Sequence, residues 1–193
     1  MKKFERLPLE TRKKEIQTAA LHLFNEFGFA NTTMEKIIAN VSLSKGGVYR
    51  IYSNPTEILK DLILSGMHLR NAYYQSQMES NKTFQLDFII ETIVNSLFLY
   101  PDISKVYVEF LWEKQRNPEL EALYQEICKQ SIIDTTFLLK SYNIPIQQEE
   151  LKRIADIMNA TILSLHTLHL FDELKENKEI LCQMLRRIEH DRF

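Results

Sequence analysis

Only one of this chain's four glycines lies beyond residue 47, and four of its five prolines, Pro55, Pro101, Pro118 and Pro145, stand where an apolar repeat stops or starts. The repeat places apolar residues three and four apart, which is one face of an α-helix; a half-buried strand would need a period of two. No stretch alternates with period two for long enough to mark a strand, so the chain is expected to be all-α. At 193 residues with 45% hydrophobic side chains it is long enough to bury a substantial core.

The punctuation divides the chain. From about Leu9 to Phe27 the residues Ile16, Ala19, Ala20, Leu23, Phe24 and Phe27 form one amphipathic face, and Gly28 sits where a C′ glycine ends a helix. Thr32 is the expected N-cap of a second, short helix, with Glu35 completing a capping box, and the helix is over by about Val41. Ser44 caps a third helix, Lys45 to about Tyr52. Asn54 and Pro55 stop it and open a long helix to about Glu79, broken at Asn81-Lys82. Further helices are expected from Thr83 to Tyr100, Asp102 to Arg116, 119–142, 147–171 and Asn177 to His190, with Asn143-Ile144-Pro145 separating the two longest. The boundaries define residues 1–54 as a helix-turn-helix domain and 55–193 as a larger helical bundle, joined through the helix that starts at Pro55.

A helix of about two turns carrying Gly46-Gly47 is weak by about 1 kcal/mol per glycine relative to alanine. Such a cost is accepted where something must approach the backbone closely, and in a helix-turn-helix that something is DNA. The charge is distributed to suit: residues 1–57 carry nine Lys/Arg against six Asp/Glu, while the remainder carries fifteen against twenty. A basic end on an acidic body fits a protein of which one end meets a polyanion. Thr32, Thr33 and Lys36 are candidate phosphate ligands at the second helix, Ser44, Lys45, Gly46 and Gly47 the groove-facing tip of the third, and Tyr49, Arg50 and Tyr52 further backbone contacts.

Read together, Ile16 to Leu59 resembles the DNA-binding domain of TetR-type transcriptional regulators. Ala20–Phe29 (ALHLFNEFGF) is similar to that family's A-x-x-L-F-x-x-x-G-F segment; Thr32-Thr33 follow. Ser44–Tyr52 then matches the S-K-G-x-hydrophobic-Y-x-x-F/Y pattern of the recognition helix, and Glu57-Ile58-Leu59 the opening of the linking helix. Three positions depart: the usual turn glycine is Ser42, which would be strained were a positive φ required, Ile38 replaces the usual small alanine before it, and the lysine that often opens the linking helix is Pro55. The resemblance implies a homodimer that binds a palindromic operator and whose C-terminal domains bind a small-molecule effector.

In the body, Phe88, Tyr107, Phe110, Trp112 and Phe137 are candidates to line an apolar pocket, with Tyr73 and Asn159 as polar handles. Asp102, Lys105, Glu109, Glu113 and Arg116 share one helical stripe, expected to be a solvated polar face. Helix 147–171 is apolar on two sides, which calls for burial from two directions. Ile157, Ala160, Thr161, Ser164, Leu168 and Phe171, with Leu181, Met184, Leu185 and Ile188 of the last helix, are therefore candidates for a four-helix dimer interface.

Nothing points to catalysis or to a cofactor. His166 and His169 lie three apart, but the paired Glu-x-x-His of a di-iron bundle is absent, and no Gly-rich phosphate loop, GxSxG or HExxH occurs. Cys128 and Cys182 suggest reduced thiols, the charged N-terminus lacks a secretory h-region, and no apolar run reaches the ~18 residues of a membrane span. The expected partners are double-stranded DNA, a small molecule and a second copy in the cytoplasm, with no membrane. A helical-bundle enzyme, or a protein-binding adaptor with a helix-turn-helix-like N-terminus, remains the alternative.

Overall fold

The computed structural model describes residues 8–80, 86–144 and 146–190. Among them every regular element is a helix: α1 (Leu9–Phe27), α2 (Met34–Ala39), α3 (Lys45–Tyr49), α4 (Pro55–Ser80), α5 (Leu86–Ser96), α6 (Pro101–Glu113), α7 (Pro118–Ser141), α8 (Gln148–Thr167), α9 (Phe171–Glu176) and α10 (Lys178–His190). The expected break at Asn81-Lys82, the start at Thr83 and the role of Pro145 lie outside the described residues.

Local chemistry accounts for most boundaries. Gly28 ends α1 with φ of 80°, its N–H donating to the Phe24 carbonyl. Asn54 caps α4 by accepting from the Glu57 N–H at 3.0 Å, while Glu57 reaches back to the Ser53 N–H at 2.7 Å. Asn117 caps α7 in the same way, with Pro118 in the first turn. Several boundaries differ from expectation, among them the ends of α5 at Ser96 and of α6 at Glu113. Thr33, not Thr32, caps α2, because the Thr32 hydroxyl is turned inward and donates to the carbonyls of Gly28 (2.9 Å) and Leu23 (3.3 Å). α3 is only five residues long, its last turn being replaced by Arg50 and Ile51 hydrogen bonds that lead into α4. The expected helix 147–171 ends at Thr167, where His169 takes a φ of 57° and turns the chain into the short α9.

The largest apolar cluster does not respect residue 54. Ile16, Ala20 and Phe24 of α1, Ile37 of α2, Val48 of α3 and Ile58 and Leu59 of α4 pack with Val106 and Phe110 of α6 and Leu120 of α7. Burying each such side chain contributes about 1.5–3 kcal/mol, so α4 and α6 are held to the first three helices by the core itself. A second cluster joins α5, Leu165 of α8 and Cys182 of α10, and a third joins Met78, Leu139 and Leu151.

Gly66 belongs to this packing. A Cβ there would stand 2.6 Å from Ile103 Cγ2, so its absence lets α6 press against α4. The stripe expected to be solvated is exposed at Asp102, Lys105 and Arg116, and its α6 part also docks on the end of α1. Glu109 Oε2 accepts from the Phe29 N–H (3.2 Å), Lys105 donates to the Asn25 carbonyl (2.7 Å) and the Asp102 carbonyl accepts from Asn25 (3.2 Å). These polar contacts tie α6 to the end of α1, where one-dimensional periodicity shows only a hydrophilic face.

Candidate nucleic-acid interface and ligand cavity

The tip formed by α2 and α3 is built by caps and one buried clamp. Ser44 Oγ accepts from the Gly47 N–H at 3.2 Å, satisfying one of the orphan donors at the start of α3. Val48 is fully buried and anchors the helix, which leaves Lys45, Gly46, Tyr49 and Arg50 facing outward. The two glycines have different causes. A Cβ at Gly47 would crowd Ser44 Oγ at 3.3 Å and Leu43, whereas one at Gly46 would meet nothing within 4 Å. Intramolecular packing therefore accounts for Gly47 and leaves Gly46 open to a molecule approaching from outside.

Tyr52 corrects its sequence-based role as a phosphate contact. It is 4% exposed, and its hydroxyl donates to Asp61 Oδ2 of α4 (2.7 Å) and accepts from Gln17 Nε2 of α1 (2.8 Å). Burial, then the hydrogen bond to Asp61, pushes its ionisation far up, so the phenol stays neutral and fastens α3 to both neighbours. Thr32 is likewise withdrawn, its hydroxyl already committed to two carbonyls. Thr33 remains exposed but its hydroxyl accepts from the Lys36 N–H at 3.4 Å. Lys36 is exposed and donates to the Asn31 carbonyl at 2.8 Å. Ser42 is not strained: it has no positive φ, and its N–H donates to Glu15 of α1, whose carboxyl is held below the usual range by the Ser42 side chain and then by that N–H. No membrane-length apolar helix and no group of three metal-ligating side chains occurs among the described residues.

Between α4, α5, α6, α7 and α8 lies a cavity of about 540 Å³, within the usual range for small-molecule sites. One stripe of α4 runs along it: Ile63, Gly66, Met67, Arg70, Tyr74 and Met78. Tyr107 and Asn159 line it as expected from sequence, bonded to one another at 3.0 Å, and Asn159 donates on to Tyr124 Oη at 3.3 Å. Burial raises the ionisation of both phenols, that of Tyr124 to about 12, so this belt is uncharged at neutral pH.

The other sequence candidates lie elsewhere. Phe110 is fully buried in the main core, Phe88 packs against the third cluster beside the cavity, and Trp112 and Phe137 (77% exposed) point outward. Tyr73 misses the cavity by one position, where Tyr74 lines it with its hydroxyl 2.9 Å from Ser96 Oγ. An aromatic identity says that a side chain wants burial, not which neighbour supplies it. The signal that could have found Arg70 and Tyr74 was polar interruption of an otherwise apolar α4 stripe.

Of the interface candidates, Leu168 (62%) and Met184 (58%) are exposed, as is Ala160; Ile157, Thr161 and Ser164 are half-buried. Leu181, Leu185 and Phe171 are partly covered by the second core cluster. The side chain of Ile188 lies outside the described residues.

Residues 16–62 match the family described as bacterial regulatory proteins, tetR family. This part of the chain, from α1 into α4, is similar to the TetR family. The regulator UidR of Escherichia coli K12 is 26% identical over 119 residues, covering 62% of this chain and 58% of UidR. The uncharacterised regulator YfiR of Bacillus subtilis is 27% identical over 122 residues, 60% of this chain and 59% of its own. The matched part is thus somewhat over half the length of these relatives, both named as HTH-type transcriptional regulators. The fold of Salmonella enterica GusR superposes with a TM-score of 0.75 over 95% of both chains at 18% identity, so the helical body shares that fold.

Proposed function

We propose that this protein is a TetR-type, ligand-responsive transcriptional repressor of the cytoplasm, binding a palindromic operator as a homodimer and released by a small, largely apolar effector. The observation that carries the reading is the outward face of α3. Lys45, Gly46, Tyr49 and Arg50 face away from the core on a helix whose other side is pinned by Val48 and Tyr52. A short, rigid helix with an open glycine at its N-terminal end suits entry into a major groove. Thr33 and Lys36, with Ser44 and Gly47 at the tip, complete the proposed contact surface; Thr32 and Tyr52 support it from inside.

Residues 1–54 serve as the reading part and 55–193 as the sensing and pairing part, although one core runs through both. The exposed apolar residues of α8 and α10, Leu168 and Met184 foremost, suit a partner copy. Its recognition helix would then lie about 34–36 Å away, one turn of DNA. The cavity supports an effector, and its walls supply the coupling. α6 touches the cavity through Ile103 and Tyr107 and holds α1 through Glu109 and Lys105. A ligand that parts α6 from α4 thereby rotates the first three helices and changes the groove spacing.

Selection of bound DNA from a random pool tests this. A palindrome with half-sites one helical turn apart, whose enrichment weakens when an effector is added, is the expected result. Failure to enrich any sequence at low salt would refute it.

A further inference from the structure

Arg70 is the feature of the cavity that apolar packing does not explain. It sits midway along the α4 stripe, which spans about 22 Å from Ile63 to Met78 at 1.5 Å per residue. Its Nη2 donates to Ser131 Oγ at 3.2 Å, while its Nε is buried without a hydrogen-bond partner among the described residues. No carboxylate pairs with it there; the nearby acid of α7, Asp134, accepts instead from Asn71 (3.4 Å) and Gln130 (2.7 Å). The other charged groups of the wall, Lys152 and Asp156, are exposed and opposite in sign.

A guanidinium with an enclosed, unsatisfied N–H is unfavourable unless something completes it. A cationic ligand would meet a like charge, and a purely apolar one would leave Nε unmet. A carboxylate supplies both charge and a planar pair of acceptors for the guanidinium edge.

The direction of the rest of the ligand follows from the walls. Towards the DNA-reading end the cavity is pinched where Gly66 lets Ile103 close on α4. Away from it, over about 12 Å from Arg70 to Met78, the walls are Ile89, Ile93, Leu138, Leu139, Leu151 and Ile154.

We propose that the effector is an amphiphilic carboxylate, its anionic group held by Arg70 and its extended apolar tail lying between α4, α5, α7 and α8 towards Met78. This rests on reading the cavity as the effector site.

Calorimetric titration of the full-length protein with decanoate, 1-decanol and decyltrimethylammonium tests it. Decanoate is expected to bind about 10- to 100-fold tighter than decanol, the range of a charge-assisted hydrogen bond, with the ammonium weakest. Arg70→Gln is expected to remove that advantage while decanol binding stays level. Absence of decanoate binding, equal affinity for the three probes, preference for the ammonium, or an unaltered decanoate affinity in Arg70→Gln would each overturn the proposal. Should the variant not fold, the three probes on the unaltered chain decide. A gel shift on the selected operator keeps the two readings apart: decanoate that binds without releasing DNA defeats the repressor reading and leaves the carboxylate site standing.

Discussion

Replacing Gly46 by alanine separates folding from DNA contact. The added methyl meets nothing within 4 Å, and helix propensity favours alanine by about 1 kcal/mol. The melting temperature should hold or rise while operator affinity drops about tenfold or more, as melting and gel shift would show; unaltered affinity would mean that nothing approaches that face. The two tyrosines behave oppositely. Tyr49, 38% exposed, should lose its hydroxyl in Tyr49→Phe with no change in melting and a loss of affinity shared by all DNA sequences. Tyr52→Phe breaks hydrogen bonds to Asp61 and Gln17 and should cost about 1–2 kcal/mol, a few degrees in melting. Glu15 carries a pH dependence. Its carboxyl is depressed by hydrogen bonds to Ser42, so the stabilisation is present above the ordinary glutamate range and is lost as pH falls through the lowered folded value. Glu15→Gln should therefore flatten the acid limb of a melting-temperature profile below about pH 5; an unchanged limb would mean that the bond is not held in solution.

Among the elements, α6 touches both the cavity and the end of α1. Gly66→Ala probes its seat. The new Cβ would press on Ile103 at 2.6 Å, and overpacking of this kind costs about 1–3 kcal/mol, more than alanine's helix propensity returns. We expect a lower melting temperature together with altered operator affinity in the absence of any effector, because α6 must move and carries Lys105 and Glu109 with it. A variant that melts lower but binds DNA as before would show that α6 is not the coupling element. The same helix shows how far periodicity reaches. Asp102, Lys105 and Glu109 do share a polar stripe, but periodicity does not show that Lys105 and Glu109 also reach Asn25 and Phe29.

For the whole molecule the question is whether α8 and α10 pair with a second copy. Leu168→Asp with Met184→Asp places two charges on side chains that are 62% and 58% exposed, so the subunit fold should survive. Sedimentation should then report a monomer, and operator affinity should fall steeply because two half-sites no longer act together. A dimer that persists in the double variant would place the interface elsewhere. His166 belongs to the supporting layer beneath: it lies 2.7 Å from Ser104 Oγ and against Phe171, with burial and then Lys105 lowering its ionisation, so it packs as a neutral ring.

Along the chain, the short-range rules were sufficient for most of the helices, the caps at Ser44 and Asn54, and the spacing that marks the reading head, because each depends on residues within a turn of one another. What needed the third dimension was the orientation of side chains between elements. Tyr52 and Thr32 have the chemistry of phosphate ligands, yet both are spent on internal bonds to partners up to 35 residues away. Phe110, Trp112 and Phe137 have the chemistry of a pocket, yet the cavity formed where α4, α7 and α8 diverge and took Arg70 and Tyr74 instead. Burial is a property of packing between distant segments, and a helical period specifies a face without specifying what that face will meet.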